Sequence, residues 1–525
     1  MADNKKIKEL NFPPGEEMMS VLSNVLGVPP AEKAPERKEG EGPYKRLVLR
    51  GGMLIDGTGA PMHGPTEIVI EGDRISEIRS GSILLRTEPG DREIDLTGKY
   101  ILPGFIEAHA HIGNPMQGVA GDKVVPAEYV YKLYLAHGVT TLRDCGALMG
   151  LDWTLNEQHN SEKNLITAPR IVTYPVMWPP HMNHNVDTPE KVRAWLQEIS
   201  QKDITGIKYF GGPPDISQTL YEETRAMNLR TACHHYLRFS AQTSPVDAAQ
   251  IGLTSMEHHY GLPTALCSDG GVYPYPLDHN DSHEPSRFLE DGRMWKYTDP
   301  GGDRWNDIID IFLETDFTMV PTLTIYEAAR DVSRAKNAEW HTEYTLPTLW
   351  KFFQPSKISH GSFYVDWTTA DELDWKENFE YWMAFLNDFK DQGGRVAAGS
   401  DAGFIYKQYG FDYIREFELL QEAGFHPLEV IRSATQSGAE VLGMEKDLGA
   451  VQVNKKADLV ILDENPLTNF KVLYGTGHER LNNETGKVDR VGGVRWTIKD
   501  GIVYDAKALL ADVREMTAKA RNENI

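Results

Sequence analysis

Eight short apolar segments, each followed by residues at helical spacing, run through the middle of this chain. They are ILPGFIEAHAH, GVTTLRDCG, RIVTYP, GIKYFGG, RTACHHY, LTSMEHHYG, FTMVPTLTIY and RVAAGSDAG. Apolar runs of this length read as buried strands, and strands alternating with helices build a parallel sheet. Eight such units fit an α/β fold of the (β/α)₈ (TIM) barrel type, with functional residues at the C-terminal strand ends. The sequence predicts this barrel over residues 102–445.

β-rich stretches flank it. RLVLRGGMLIDGTG, TEIVIEGDRISEIRSG and REIDLTGKYI come before, and ADLVILDENP and VRWTIKDGIVYDA come after. Their apolar–polar alternation and glycine turns predict strands. Together they suggest a small β-sandwich domain made from both chain ends, 44–101 plus 446–525. Residues 1–43 read as an N-terminal extension and linker. Within it Met18, Met19, Leu22, Val25 and Leu26 recur at helical spacing, which points to packing on the body or on a second subunit, hence a homo-oligomer. PPAEKAPERKEGEGP reads as the linker. The connections 262–305 and 327–375 are too long for ordinary loops and read as lids or pocket walls.

Charge narrows the partners. Among 525 residues, 77 acidic against 54 basic give a net charge of -23, which argues against nucleic acid and anionic membrane. Three cysteines, Cys145, Cys233 and Cys267, argue against a disulfide framework and for a reducing compartment. No apolar leader opens the chain and no uncharged run suits a bilayer, so the expected location is cytoplasmic.

The strand ends carry the chemistry. His109 and His111 close the first strand, two positions apart, so both imidazoles take one face. Alone, the pair fits either a metal clamp or one core and one surface histidine. Lys208 ends the fourth strand, His234 and His235 the fifth, His258 the sixth and Asp401 the eighth. Each has a plain structural reading: Lys208 paired with a carboxylate, a histidine satisfied in the core, Asp401 capping a helix. Chance does not place all of them at one end of successive barrel strands.

These motifs, in this order, resemble the metal-dependent amidohydrolase superfamily from about Arg46 to Asp505. The similarity includes PGFIEAHAH, GVTTLRD, IKYFGG, AGSDAG and the closing GAVQVNKKADLVILDENP, and is strongest to imidazolonepropionase-related dipeptidases and amidases. The resemblance implies that His109, His111 and Asp401 hold the more buried of two divalent metals, and His234 and His258 the more exposed one. Lys208 would bridge them as an N-carboxylated lysine. Zinc is the first expectation, with manganese, cobalt and iron as alternatives. A metal-bridging hydroxide would attack an amide carbonyl, and Asp401 would move the proton to the leaving amine. The substrate would be an N-acyl amino acid, a dipeptide or an aryl amide. The alternatives are a cyclic amide, lactone or carbamate hydrolase, a one-metal deaminase, and a catalytically silent barrel scaffold.

Other residues carry weaker signals. By alternation Tyr236 shares the face of His234, as an oxyanion donor or a packing residue. His184 sits where related enzymes place a pocket histidine, and Arg238 is a candidate clamp for a substrate carboxylate; both also read as solvent-facing, as does His181. His259 reads as a space filler. His279 and His283, in DHNDSHE, read as a third metal site or a solvated loop. The aromatics of MWPP, VYPYP and MWKY line an apolar pocket or pack the long connections.

Overall fold

The computed structural model describes residues 28–81, 87–119, 123–180, 184–267, 275–277, 279–280, 283–356 and 361–523. The stripe Met18–Leu26, Tyr273 and His181 lie outside them.

All eight expected barrel segments form strands. In chain order, β1 is Leu47–Leu54, β2 His63–Glu71, β3 Arg74–Ser80, β4 Arg92–Asp95 and β5 Tyr100–Pro103. The central set follows: β6 Phe105–Ala110, β7 Val139–Gly146, β8 Arg170–Met177, β9 Gly206–Tyr209, β10 Arg230–His234, β11 Ser255–Glu257, β12 Thr318–Val320 and β13 Arg395–Val396. These pair in sequence order, all parallel. The first and last segments also meet: Ala108 N–H donates to the Ala398 carbonyl at 3.0 Å, and Asp401 N–H to the His109 carbonyl at 2.9 Å. Gly399 permits this approach, because a Cβ there would lie 2.9 Å from that of His109.

Alternation sorts the barrel side chains. Leu142, Ile171, Ile207, Cys233, Met256 and Met319 join the large core shared with surrounding helices. Positions one residue along, such as Arg143, Lys208 and Glu257, are buried and polar. Arg143 on β7 and His109 on β6 both reach Glu257 on β11. Those strands are not neighbours in the sheet, so these side chains cross the barrel interior.

The chain ends build the second sheet. β14 is Leu459–Leu462, β15 His478–Leu481, β16 Val488–Val491, β17 Val494–Lys499 and β18 Ile502–Asp505. The sheet order is β18-β17-β14-β5-β1-β2-β3, with β4 also on β1, while β15 and β16 form a separate hairpin. Leu47, Leu49, Ile68, Ile70, Ile101, Leu459, Ile461 and Ile498 form its core. They bring together residues about four hundred positions apart, at the order of 1.5–3 kcal/mol per buried aliphatic side chain.

The stretch read as a linker is fastened to the body. Arg37 N–H donates to the Leu165 carbonyl, and Glu41 and Val503 exchange backbone bonds. Glu39 accepts from Lys132 at 2.8 Å and Thr167 at 2.6 Å. Among the described residues, the two long connections carry helices rather than open loops. The first contains helices Leu262–Leu266, Glu284–Met294 and Asp303–Glu314. The second contains Leu323–Arg330, Val332–Lys336, His341–Tyr344, Pro347–Phe352 and the start of Thr369–Asp391. Trp295, Trp305 and Trp375 are fully buried, so the tryptophan of MWKY packs these helices rather than lining an open mouth.

A buried ion cluster joins barrel and end sheet. Arg170, the first residue of β8, lies 2.6 Å from Asp458 and 2.5 Å from Asp500, all at most 8% exposed in their side chains. Removing the cation leaves two buried carboxylates short of a partner. Arg170→Ala is therefore expected to destabilise the protein by about 3–5 kcal/mol, read as a lower denaturation midpoint. A midpoint unchanged within error would mean that Lys456 and Lys499, 3.4 and 3.2 Å from Asp500, suffice alone.

Candidate metal centre

β6 delivers His109 and His111 to one place, with ring centroids 5.4 Å apart. The turn after β13 brings Asp401 between them. Its Oδ1 lies 3.2 Å from His111 Nε2 and 3.8 Å from His109 Nε2. Donor atoms of these three residues all lie within 4.8 Å of one another. His258, just past β11, adds Nε2 at 3.8 Å from Asp401 Oδ2. Its ring lies 4.9 Å from that of His109 and 4.8 Å from that of His234. One continuous row of imidazoles thus runs from His111 to His234, with a carboxylate beside it.

Lys208, on β9, is 1% exposed, and its Nζ has no hydrogen-bond partner among the described residues. A buried ammonium that faces an aromatic ring, Phe210 at 5.8 Å, in place of a hydrogen-bond partner is expensive. Its charge is felt by His109 and His258 alike. Burial, followed by Lys208, drives His109 well below the ordinary imidazole value. Burial, then His109 and Lys208, does the same to His258. Neutral imidazole is the ligating form. For Asp401, burial pushes the carboxyl up, but His109, His111 and Lys208 outweigh it and hold it below its ordinary value.

Backbone strain gathers here. His258 has φ 65°, Thr322 φ 50° and Asp401 φ 52°, in the left-handed region that costs a non-glycine residue on the order of 1–3 kcal/mol. Side chains over-determine these turns. Thr322 Oγ1 lies 2.6 Å from His258 Nδ1. Glu416 accepts from the Leu323 and Thr324 N–H groups at 3.0 and 2.7 Å, fixing the turn that carries Thr322.

Beneath the row lie polar residues that the motif reading passed over. Glu107 accepts from His109 N–H at 3.0 Å, from Ser400 N–H at 2.8 Å and from the Ser400 hydroxyl; burial raises its carboxyl to about 8 despite these bonds. Glu257 bonds the His109 ring, Arg143 and Ser255. The signal was present in each case: a charged residue inside an otherwise apolar strand. Donors of His109, Cys145 and Glu257 also cluster within 4.8 Å, but the Arg143 guanidinium already occupies that carboxylate, and burial pushes the Cys145 thiol up to about 12. That group is a poor cation site.

The weaker candidates separate. β10 ends at His234, so alternation stops there; Tyr236 precedes the helix Leu237–Ser240 as its N-cap, half-buried. Its ring lies 5.8 Å from the Arg287 guanidinium. Arg238 is exposed on that helix. Arg287, also 4.7 Å over Phe288, is the buried arginine on this side. His184 opens the short turn His184–Val186, and its side chain lies outside the described residues. His259 is buried and accepts from the Trp295 indole at 3.3 Å, as a space filler would. His279 stacks on Tyr275 and His283 bonds Ser286. The phenols of Tyr260 and Tyr326, 2.7 Å apart, flank His234 and His258 and were not anticipated.

A model of the amidohydrolase family matches residues 381–503. N-acyl-D-glutamate deacylase of Alcaligenes xylosoxydans xylosoxydans is 40% identical over 65 residues, 12% of this chain and 12% of that protein. A Xaa-Pro dipeptidase with methionine bound in its active site shares the fold at TM-score 0.58 and 18% identity, over 88% of this chain and 100% of that one. Bottromycin amidohydrolase does so at TM-score 0.61 and 16% identity, over 97% and 94%. No helix of the described residues is long and apolar enough to cross a membrane. With a matching amidohydrolase family model over residues 381–503 and a barrel fold shared with solved amidohydrolases, the chain is similar to the metal-dependent amidohydrolase superfamily.

Proposed function

We propose that this protein is a binuclear metal-dependent hydrolase that cleaves an amide bond in a small molecule. An N-acyl amino acid, a dipeptide or an aryl amide is the substrate class. The observation that carries the reading is Lys208: a buried ammonium without a hydrogen-bond partner among the described residues, its charge felt by His109 and His258. Carboxylation by carbon dioxide would turn this liability into a bidentate oxygen ligand on a stem long enough to serve two sites. The donor set of imidazoles and carboxylate suits zinc. His109, His111 and Asp401 would hold one ion, His234 and His258 the other, with Lys208 shared. Two such ions would supply Lewis-acid polarisation of a carbonyl and make water acidic enough to act as a nucleophile near neutral pH.

The chain's own residues do the rest. Asp401, beside three imidazoles, takes a proton and gives it to the departing nitrogen. Tyr236, two residues past β10 at the N-cap of the next helix, would be the donor to the developing oxyanion. Arg287, Arg238 and His184 are the residues that would orient the substrate away from the scissile bond. Support for an amide comes from the dipeptidase and amidohydrolase folds and from the deacylase segment. Elemental analysis of the purified protein should give close to two divalent metals per chain, and a screen of N-acyl amino acids, dipeptides and aryl amides should find turnover. A metal-free chain that stays metal-free on reconstitution would leave the scaffold reading instead.

A further inference from the structure

Glu257 is the residue whose surroundings say most beyond the ligand set. Its side chain is fully buried, as is that of Arg143. Oε1 accepts from Arg143 Nη2 at 2.7 Å and from the Ser255 hydroxyl at 2.7 Å. Arg143 is itself pinned, donating through Nε to the Ala108 carbonyl and through Nη1 to Ser255 at 3.0 Å. The remaining oxygen, Oε2, lies 2.6 Å from His109 Nδ1. A carboxylate paired with a guanidinium only accepts, so the hydrogen of this contact belongs to the imidazole. His109 then carries its proton on Nδ1, and Nε2, the nitrogen facing Asp401 at 3.8 Å, is left with a free lone pair.

We infer that Glu257, held by Arg143 and Ser255, is a positioning residue that fixes the tautomer and ring angle of His109 from inside the barrel. Carboxylate–histidine–metal arrangements of this kind orient a ligand and raise its basicity. This one differs from a surface pair in its rigidity. The carboxylate comes from β11, the guanidinium from β7 and the imidazole from β6, so contacts from three strands converge on the ring. Glu107 complements Glu257 by holding the backbone of the same histidine and of Ser400, the neighbour of Asp401. The two carboxylates therefore lock His109 by ring and by main chain.

The metal part of this inference rests on the reading of His109 as a ligand, so the test has two independent readouts on the full-length protein. The first is NMR of metal-free protein carrying nitrogen-labelled histidine, with the His109 signal identified by its loss in His109→Asn. A downfield Nδ1–H resonance is expected in the parent protein. It should move in Glu257→Gln, which keeps an acceptor but loses the charge, and move less in Ser255→Ala, the milder variant should Glu257→Gln fold poorly. The second readout is cobalt affinity by chelator competition, expected to fall about 10–100-fold in Glu257→Gln. A His109 that carries its proton on Nε2, or a signal or cobalt affinity indifferent to Glu257→Gln, overturns the assignment. A parent protein that shows the moving Nδ1–H signal but binds no cobalt leaves the hydrogen-bond assignment standing and removes the metal-centre reading.

Discussion

Lys208→Ala is expected to lose both metal and turnover, and to regain part of each when formate or acetate is supplied with the metal. The two readings of this residue give effects of opposite sign. An ordinary lysine at this position is a 1% exposed ammonium with no hydrogen-bond partner among the described residues. Its removal relieves a desolvated charge, so the variant would become more stable with chemistry intact. A bridging carbamate is a direct ligand to two ions. Its removal costs more than the about 10–100-fold typical of groups one shell further out, and apo-like protein accumulates. Metal content, denaturation midpoint and turnover measured on the same preparation separate the two. A metal-replete, active and more stable Lys208→Ala would end the two-metal proposal. Rescue by a small carboxylate adds geometry to the loss, because only a missing oxygen ligand is restored by a free one.

The barrel was legible because its strands obey one rule. Each is short, apolar and followed by a helical pattern, and β6 to β13 fall inside the eight segments so read, except that β8 runs two residues past RIVTYP to Met177. The row of His111, His109, His258 and His234 was legible for a related reason: polar residues at the ends of apolar strands stand out. What failed was alternation carried past a strand end. Tyr236 shares parity with His234, but β10 stops at His234 and the next residues turn into a helix, so parity says nothing about where the phenol goes. The long connections misled by composition. Their prolines, glycines and aromatics look like loop, yet Trp295, Trp305 and Trp375 fold inward and the segments between them coil.

Contacts across the barrel were harder still. Glu107 shares the parity of His109 and His111, and a charge inside FIEAHAH was visible. Its partner Ser400 is almost three hundred residues away, and only closure of the sheet brings them together. Arg143 and Glu257 are the same case: each looks like a misplaced charge in an apolar strand until the circular order of strands makes them face each other. Local periodicity reports which side a residue takes. It does not report what stands opposite, and in a closed barrel that second fact decides whether a buried charge is a defect or a support.

Asp401→Asn is expected to lower kcat by about 10²–10⁴-fold, the range for loss of a general acid–base group, while metal content stays near that of the parent. Asparagine is the informative choice for a backbone reason. Asp401 sits at φ 52°, and asparagine tolerates the left-handed region at least as well as aspartate does, whereas alanine would add strain and confuse folding with chemistry. The amide also keeps an oxygen where Oδ1 meets His111 Nε2 at 3.2 Å, so one neutral ligand atom survives. What it loses is the ability to take and return a proton. The N–H to the His109 carbonyl, at 2.9 Å, belongs to the main chain and is untouched, so the closure between β6 and the β13 turn persists. Steady-state kinetics should then show the loss in kcat with KM little changed, since an interaction used only on the way to product has been removed. A fall in metal content matching the fall in rate would instead make Asp401 a ligand and nothing more. Turnover within a factor of a few of the parent would move the proton-transfer role off this residue altogether. The phenols of Tyr260 and Tyr326 would then be the next groups to test, because they lie against His234 and His258 on the same side of the row.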